Sequence, residues 1–129
     1  MSQTRWHNNK WRYLLLGYIL LLLIITGAAY MRLIPASLAR VPLYDVIGHF
    51  VLYGIAGYLA HRAANRRWVQ IGPIALPVGG LIAMGCACIE EALQSFSPNR
   101  SFDLKDLVCN GLGIGLACYF DKVMHKGYT

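Results

Sequence analysis

The sequence has few charged residues for its length. Asp, Glu, Lys and Arg make up 14% of the 129 residues, and only 6 residues are acidic. Soluble domains usually carry roughly 25% charged residues, so this chain lacks the polar side chains needed to cover a water-facing surface. The scarcity of charge excludes an ordinary soluble enzyme, a disordered chain and a small secreted domain. The length fits a single domain.

The sequence also lacks motifs that would indicate a soluble partner or a familiar reaction. Its net charge is +6, but the basic residues flank apolar segments and are not interleaved with aromatic residues, so we expect no nucleic-acid partner. It has no nucleophile motif and no zinc-type His-x-x-x-His pair, and we expect no cofactor. The basic charge indicates anionic lipid at a membrane surface.

Long apolar runs are what the sequence does have, with 57% hydrophobic residues. A helix that spans a bilayer needs about 20 mostly apolar residues. Four segments meet this need, at about 13–31, 43–60, 71–94 and 103–120. They predict an all-α, integral membrane four-helix bundle, with a single domain over 13–129 after an N-terminal segment, 1–12. Pro73 and Pro77 are expected to start or kink the third helix.

Two features of the apolar segments have an alternative interpretation. A cleaved signal peptide is the alternative for the first segment, but its apolar stretch exceeds the ~7–15 residues of a signal core. The four cysteines lie in apolar stretches and are interpreted as packing residues, although a disulfide stays open; they are Cys86, Cys88, Cys109 and Cys118.

The distribution of Lys and Arg predicts the orientation in the membrane. Eight of them flank one side of the predicted bundle, namely Arg5, Lys10, Arg12, Arg62, Arg66, Arg67, Lys122 and Lys126. The other side has four, Arg32, Arg40, Arg100 and Lys105. Because cytoplasmic loops carry the excess of positive charge, both termini are predicted to be cytoplasmic. Trp6, Trp11 and Trp68 lie on the same side, as interfacial anchors do.

Polar side chains interrupt the last three segments at helical spacing. Their spacing places them on single helix faces, and the alternating directions of the helices bring them together at the outer end of the bundle. Charged groups inside a membrane cost about 2.5–3.5 kcal/mol at its centre, so we expect them to face a shared pocket. The predicted substrate-binding residues are Asp45, His49, Tyr53, Glu91, Gln94, Arg100, Asp103, Asp106 and Asn110.

Some neighbouring residues receive a different prediction. Asp45 and Asp103 also fit as solvated helix starts or N-caps. Glu90 is left out of the pocket because successive helical residues point about 100° apart. Four glycines are expected to allow close helix approach: Gly54, Gly57, Gly111 and Gly115.

The polar residues of the last three segments form three sequence blocks, and these blocks, in this order, resemble those of the VanZ-like membrane protein family. The blocks are Asp45-x-x-x-His49-Phe50-x-x-Tyr53, Glu91-x-x-Gln94 and Pro98-x-Arg100-Ser101-x-Asp103-x-x-Asp106-x-x-x-Asn110-x-x-Gly113. The sequence departs from the family at Val46, where a basic residue is frequent, and at Ala117, where a glycine is common. The resemblance implies a four-helix protein of the bacterial cytoplasmic (inner) membrane. The family takes its name from a member linked to resistance against a glycopeptide antibiotic, but most members have no settled activity.

Three classes of function remain open. The first is the binding of an envelope lipid or amphiphile, with Arg100 pairing a phosphate or carboxylate head group and His49 and Asn110 supplying hydrogen bonds. The second is an enzyme that acts on a lipid-linked, phosphate-bearing substrate. Its catalytic candidates are His49, Glu91 and Asp106, with His49 as general base or all three as ligands of a divalent metal.

The third class is a structural subunit whose polar residues only hold the helices together. In that case Arg100 pairs with Asp103 or Asp106, and His49 pairs with Glu91. The spacing leaves open whether the chain is an enzyme and whether it assembles with copies of itself, which a transport role would require.

Overall fold

The computed structural model describes residues 2–35, 37, 40, 43–98 and 102–126, and of residues 2–8 it describes the backbone only. This part of the chain is almost entirely helical, as predicted. Its helices are α1 (Ser2–Tyr30), α2 (Tyr44–Ala63), α3 (Val78–Gln94) and α4 (Leu104–Lys126). Between α2 and α3, the strands β1 (Trp68–Ile71) and β2 (Ile74–Pro77) form an antiparallel hairpin.

Contacts between α2 and α4 show that these two helices run in the same direction. Near the start of both helices, His49 Nδ1 lies 3.1 Å from the side-chain amide of Asn110. Near their ends, Arg62 Nη1 donates to Asp121 Oδ1 at 3.2 Å. The sequence predicted this parallel pair.

The helices α1 and α3 run opposite to α2. The Tyr18 hydroxyl of α1 donates to the Leu52 carbonyl oxygen at 2.7 Å, and the Trp11 ring packs edge-on against Tyr58, one turn or more further along α2. In α3, Glu90 accepts a hydrogen bond from the Tyr53 hydroxyl, whereas the start of α3 lies against the end of α2. The beginning of α1 and the end of α4 therefore lie at one end of the bundle.

The tight contact between α2 and α4 depends on two glycines. A Cβ atom on Gly113 would overlap the carbonyl oxygen of Phe50, and one on Gly54 would lie 3.3 Å from the Gly113 carbonyl oxygen. Gly57 also makes a close contact, with Ile114, as predicted. The prediction was wrong for Gly115, because no atom of the described residues outside its own helix backbone lies within 4 Å of the place where its Cβ would be.

The interior of the bundle contains small and polar side chains, while its surface is rich in large aliphatic ones. The largest fully buried side chains are His61, Gln94, Glu91, Asn110 and Cys118. Leu16 and Leu23 of α1 are 62% and 63% exposed. Soluble proteins bury their large apolar residues and expose polar ones, so this distribution is the reverse of what water favours.

The third helix begins later than the sequence predicted. The prediction extended it over 71–94, but Ile71 and residues 74–77 belong to the hairpin, and α3 begins at Val78. Gly72 adopts a φ of 60°, and Pro73 fixes its own φ near −65°. A two-residue turn of type II′ has this pair of φ values, so Gly72 and Pro73 turn the chain back. Pro77 is the N-cap residue of α3.

Two of the described helices are long and apolar enough to cross a membrane. They are Asn9–Tyr30 and Leu104–Lys126, within which stretches of 18 residues have mean hydropathies of 2.1 and 1.2. The spans predicted at 13–31 and 103–120 fall within these segments except for Met31 and Asp103. The other two spans, at 43–60 and 71–94, stay predictions.

Candidate functional site

Most acidic side chains lie at the end of the bundle where α2 and α4 begin and α3 ends. We call this group the acidic-end cluster; it consists of Asp45, His49, Tyr53, Glu90, Glu91, Gln94, Asp103, Asp106 and Asn110. It contains five of the 6 acidic residues of the chain, all but Asp121. The parallel start of α2 and α4 and the opposite direction of α3 bring these side chains to one end, as predicted for all of them except Glu90.

His49 forms a hydrogen-bonded group with two residues of α4. The orientation of the Asn110 amide that satisfies its hydrogen bonds donates from nitrogen to His49 Nδ1 at 3.1 Å and to the His49 carbonyl oxygen at 3.2 Å. Because Nδ1 then accepts, the ring proton resides on Nε2, which faces Asp106 Oδ2 at 3.5 Å. Both ring nitrogens are therefore engaged between α2 and α4.

Glu90 lies inside the cluster, contrary to the prediction that left it out. Its carboxylate accepts hydrogen bonds from Tyr53, from Thr26 Oγ1 at 3.3 Å and from Gln94 Nε2 at 3.3 Å. These partners come from α2, α1 and α3. The rotation of about 100° between successive helical residues does direct Glu90 and Glu91 to different faces of α3. Both faces have neighbouring helices, so both carboxylates make polar contacts.

Glu91 is buried on the opposite face of α3, where it holds the beginning of α4. Its Oε1 accepts a hydrogen bond from the backbone nitrogen of Asp103 at 2.9 Å. Asp103 in turn accepts from the Lys105 backbone nitrogen at 2.9 Å, which confirms the N-cap interpretation of Asp103. These two carboxylates satisfy backbone donors at a helix start.

A cavity of about 530 Å³ lies beside Glu90, between α1, α2 and α3. Its polar lining comes from the acidic-end cluster (Asp45, His49, Tyr53, Glu90 and Gln94) and from Thr26, Tyr30 and Tyr44. The remaining wall is mostly aliphatic and includes Leu22, Ile25, Val51 and Leu52. No Lys or Arg belongs to the described part of the lining.

One buried acceptor at this cavity has no hydrogen-bond partner among the described residues. Gln94 is 2% exposed, and its Oε1 accepts no hydrogen bond there, although its Nε2 donates to Glu90. A buried polar atom without a partner costs about 1–3 kcal/mol. The cavity therefore offers two carboxylates, those of Asp45 and Glu90, to a molecule that enters it.

Several predicted pairs and ligand sets are not formed. His49 pairs with Asp106 and Asn110 and not with Glu91, so that prediction was wrong. The described residues hold no group of three His, Cys, Asp or Glu side chains able to bind a metal ion, so the set of His49, Glu91 and Asp106 is not assembled. Asp45 is exposed in the first turn of α2, and Arg100 lies outside the described residues.

A second polar cluster lies at the opposite end of the bundle, and the sequence analysis missed it. Asp121 is 4% exposed and accepts hydrogen bonds from Arg66 Nε at 2.7 Å and from Arg62 Nη1 at 3.2 Å. The buried His61 ring places Nε2 3.8 Å from Asp121 Oδ2 and packs edge-on against Trp68. We call these five residues the basic-end cluster.

Aromatic rings cover the cations at this end. The Arg62 guanidinium lies 3.9 Å from the centre of the Trp11 ring, and the Lys122 ammonium lies 4.6 Å from the centre of the Trp68 ring. These distances fall within the range of cation–π attraction. Trp11 and Trp68 therefore lie at the basic end, where the sequence placed them; the side chain of Trp6 lies outside the described residues.

The cysteines are free in the structure. Cys118 is buried and packs in the core, as predicted, with its Sγ 3.7 Å from the Gly57 carbonyl oxygen. Cys86 and Cys88 are exposed on α3, so the packing prediction was wrong for these two.

Comparisons with known proteins identify relatives of the chain. The family model described as VanZ/LLP1 matches residues 4–124. An uncharacterized protein of Schizosaccharomyces pombe is 32% identical over 114 residues, which cover 86% of this chain and 64% of that protein. The chain thus spans just under two thirds of the length of this relative. No solved structure matches the chain.

Proposed function

The chain belongs to the VanZ/LLP1 family, and from this premise we propose that it is a multi-pass membrane protein that binds one amphiphile. The binding site is the cavity between α1, α2 and α3. The polar head of the amphiphile contacts the acidic-end cluster, and its apolar chain lies against the aliphatic wall. The observation that carries the proposal is a cavity with carboxylates at one part and aliphatic side chains over the rest.

The exposed aliphatic surface supports the membrane location. Large apolar side chains on the outside and small or polar ones inside are what a bilayer favours, since lipid replaces water as the surrounding solvent. The part of α1 from Asn9 to Tyr30 has 22 residues, which is about 33 Å of helix. The hydrocarbon core of a bilayer measures about 30 Å, so α1 is long enough to cross it.

The charge distribution supports one orientation. The eight basic residues lie in the first part of α1, at or just after the end of α2, and near the end of α4. These segments belong to one end of the bundle, where contacts join Arg62 to both Trp11 and Asp121. By the positive-inside rule this end is cytoplasmic, and both termini lie there. The acidic-end cluster then faces the outer leaflet, in a bacterial cell the periplasmic side of the inner membrane.

The polar atoms of the cavity select the chemistry of the head group. Glu90 and Asp45 present carboxylates to the cavity, and the buried side-chain oxygen of Gln94, another lining residue, has no hydrogen-bond partner among the described residues. A head group that donates hydrogen bonds, above all a primary amine, complements these oxygens. A zwitterionic amino-phospholipid has such an amine, and its phosphate matches the predicted role of Arg100.

Binding is favoured over catalysis by the contacts of His49. A general base needs a free nitrogen within hydrogen-bond reach of its substrate, but Nδ1 of His49 accepts from Asn110 and Nε2 faces Asp106. These contacts instead favour a packing role for Asp106 and Asn110. The resistance associated with the family name is an analogy at the level of the family and is not carried to this chain.

A pair of neighbouring substitutions tests the proposal. The full chain is reconstituted in nanodiscs and titrated with a fluorescent phosphoethanolamine lipid and with a phosphoglycerol lipid that lacks the amine. Hydrogen bonds to charged groups contribute about 1.5–3 kcal/mol, so Glu90→Gln is expected to weaken binding of the amine lipid roughly 10- to 100-fold. Glu91→Gln is the matched control, because its amide oxygen still accepts from Asp103 and it does not line the cavity.

The outcomes separate the classes of function. The proposal requires preferential binding of the amine lipid, lost in Glu90→Gln and kept in Glu91→Gln. Equal binding by both variants would contradict it and favour a packing role for the cluster. Mass spectrometry of the lipid after incubation detects turnover, which would favour the enzyme.

A further inference from the structure

The hairpin between α2 and α3 has one face made entirely of aliphatic side chains. Val69 pairs with Leu76 and Ile71 pairs with Ile74, and directly opposed residues two apart along a strand share a face. Three of the four are exposed, with Val69 at 37%, Ile71 at 57% and Ile74 at 59%. A two-stranded hairpin is marginally stable in water, so a bare aliphatic face on one requires a cover.

On the other face of the hairpin, Trp68 at the base packs against the bundle and fixes the position of the hairpin, while Gln70 and Ala75 are exposed. Trp68 contacts the buried His61 ring and lies under the Lys122 ammonium. The Val78 backbone nitrogen donates to the Arg67 carbonyl oxygen at 2.9 Å and closes the base of the hairpin. With Trp68 directed inward, Ile71 and Ile74 are held on the side away from the bundle.

Two cations lie at the base of the hairpin. Arg67 directly precedes β1 and is exposed, and Lys122 lies beside Trp68. Asp121 is the one acidic residue at this end, and two arginines already contact it. An aliphatic face bordered by positive charge complements the interface of an anionic bilayer, where acyl chains meet negative head groups.

The lengths of the elements agree with a position of the hairpin at the bilayer interface. The 17 residues of α3 measure about 26 Å, less than the ~30 Å of the hydrocarbon core. The open strand edges cannot enter the hydrocarbon, because their backbone groups would lose hydrogen bonds. The hairpin therefore belongs at the boundary, where its aliphatic face reaches acyl chains and its edges reach water.

From these observations we infer that the β1–β2 hairpin is an interfacial anchor that inserts Val69, Ile71, Ile74 and Leu76 into an anionic leaflet at the basic end. The inference rests on the proposed membrane location of the helices. It adds a second lipid contact, at the end of the bundle opposite to the amphiphile cavity.

Spin labels on both faces of the hairpin test this anchor. In a full chain whose native cysteines are replaced by alanine, single cysteines are placed at 71 and 74, and at 70 and 75 as matched controls on the other face. The labelled proteins are placed in nanodiscs of mixed phosphatidylcholine and phosphatidylglycerol. The collision rates with oxygen, which concentrates in lipid, and with a nickel chelate, which stays in water, are measured.

We expect the oxygen-to-nickel ratio to be several-fold higher at Ile71→Cys and Ile74→Cys than at Gln70→Cys and Ala75→Cys. In phosphatidylcholine alone this difference should fall, because Arg67 and Lys122 then have no anionic head groups to contact. Equal ratios at all four positions would overturn the anchor, and so would spin–spin broadening at 71 and 74, which would place a second copy there. If the difference were the same in both lipid mixtures, the inference that the hairpin prefers an anionic leaflet would be wrong.

A label in α1 separates failure of this inference from failure of the proposed membrane location. Leu23 is 63% exposed within the apolar part of α1, Asn9–Tyr30, so Leu23→Cys should have the highest oxygen-to-nickel ratio. If position 23 is in lipid and positions 71 and 74 are in water, only the anchor is wrong. If position 23 is also in water, the membrane location itself fails.

Discussion

Adding one methyl group at Gly113 should weaken the contact between α2 and α4. A Cβ at this position would overlap the Phe50 carbonyl oxygen, and a backbone atom cannot rotate away as a flexible side chain does. Extra methyl groups in a packed interior cost about 1–3 kcal/mol, so we expect the upper part of this range. The helices must separate, which also lengthens the contact between His49 and Asn110.

Gly115→Ala is the matched control, because it adds the same methyl two residues later where no atom of the described residues outside its own helix backbone lies within 4 Å. Both variants gain helix propensity of up to about 1 kcal/mol, and this gain cancels in their difference. We therefore expect Gly113→Ala to have a free energy of unfolding about 2–3 kcal/mol below that of Gly115→Ala, roughly 100-fold in the equilibrium constant. Steric trapping in micelles measures both values. Equal stabilities would refute the close crossing at Gly113.

Three further substitutions test the two clusters. Asp121→Asn should lower the free energy of unfolding by about 2–4 kcal/mol, because it breaks a buried ion pair. The control Asp45→Asn, at an exposed position, should change the free energy of unfolding by no more than about 0.5 kcal/mol. Equal effects of the two substitutions in the same assay would contradict the buried network. Asn110→Leu leaves His49 Nδ1 without a donor and should cost about 1–3 kcal/mol, whereas an unchanged unfolding midpoint would mean that this hydrogen bond contributes nothing. Gln94→Leu removes the unused acceptor and should weaken binding of the phosphoethanolamine lipid about tenfold; unchanged affinity in the nanodisc titration would exclude this amide from the site.

The helix directions and the convergence of the polar residues could be predicted from the sequence. Residues at i and i+4 share a helix face whatever the rest of the fold, which placed Asp45, His49 and Tyr53 together. Alternating directions then brought them to the same end as Gln94 and Asp106. What spacing could not give was the partner of each side chain, because that depends on the rotation of each helix about its axis.

Glu90 illustrates this limit. The helical wheel separates Glu90 from Glu91 correctly, but it does not tell how many neighbours surround α3. With α1 and α2 on one side and α4 on the other, both faces carry polar contacts. A carboxylate at the end of an apolar run is itself costly in a membrane, and that cost was the signal for including Glu90.

The basic end was missed for a different reason. His61 and Asp121 directly follow the predicted spans at 43–60 and 103–120, and the sequence analysis assigned them no role. The hairpin was hidden because Val, Ile and Leu at 69–76 are as apolar as a helix in a bilayer. The Gly72-Pro73 pair was the local signal for a turn, and it was interpreted as a helix start.

Photochemical cross-linking of a bound amphiphile tests the central claim most directly. A phosphoethanolamine lipid with a diazirine in the first carbons of its chain is incorporated with the full chain into nanodiscs and irradiated, and mass spectrometry maps the adducts. Binding in the cavity predicts adducts concentrated on Leu22, Val51 and Leu52, and their loss in Glu90→Gln. Adducts spread evenly over the outer surface, on Leu16 and Leu112 as often as on the cavity wall, and unchanged by Glu90→Gln, would contradict it.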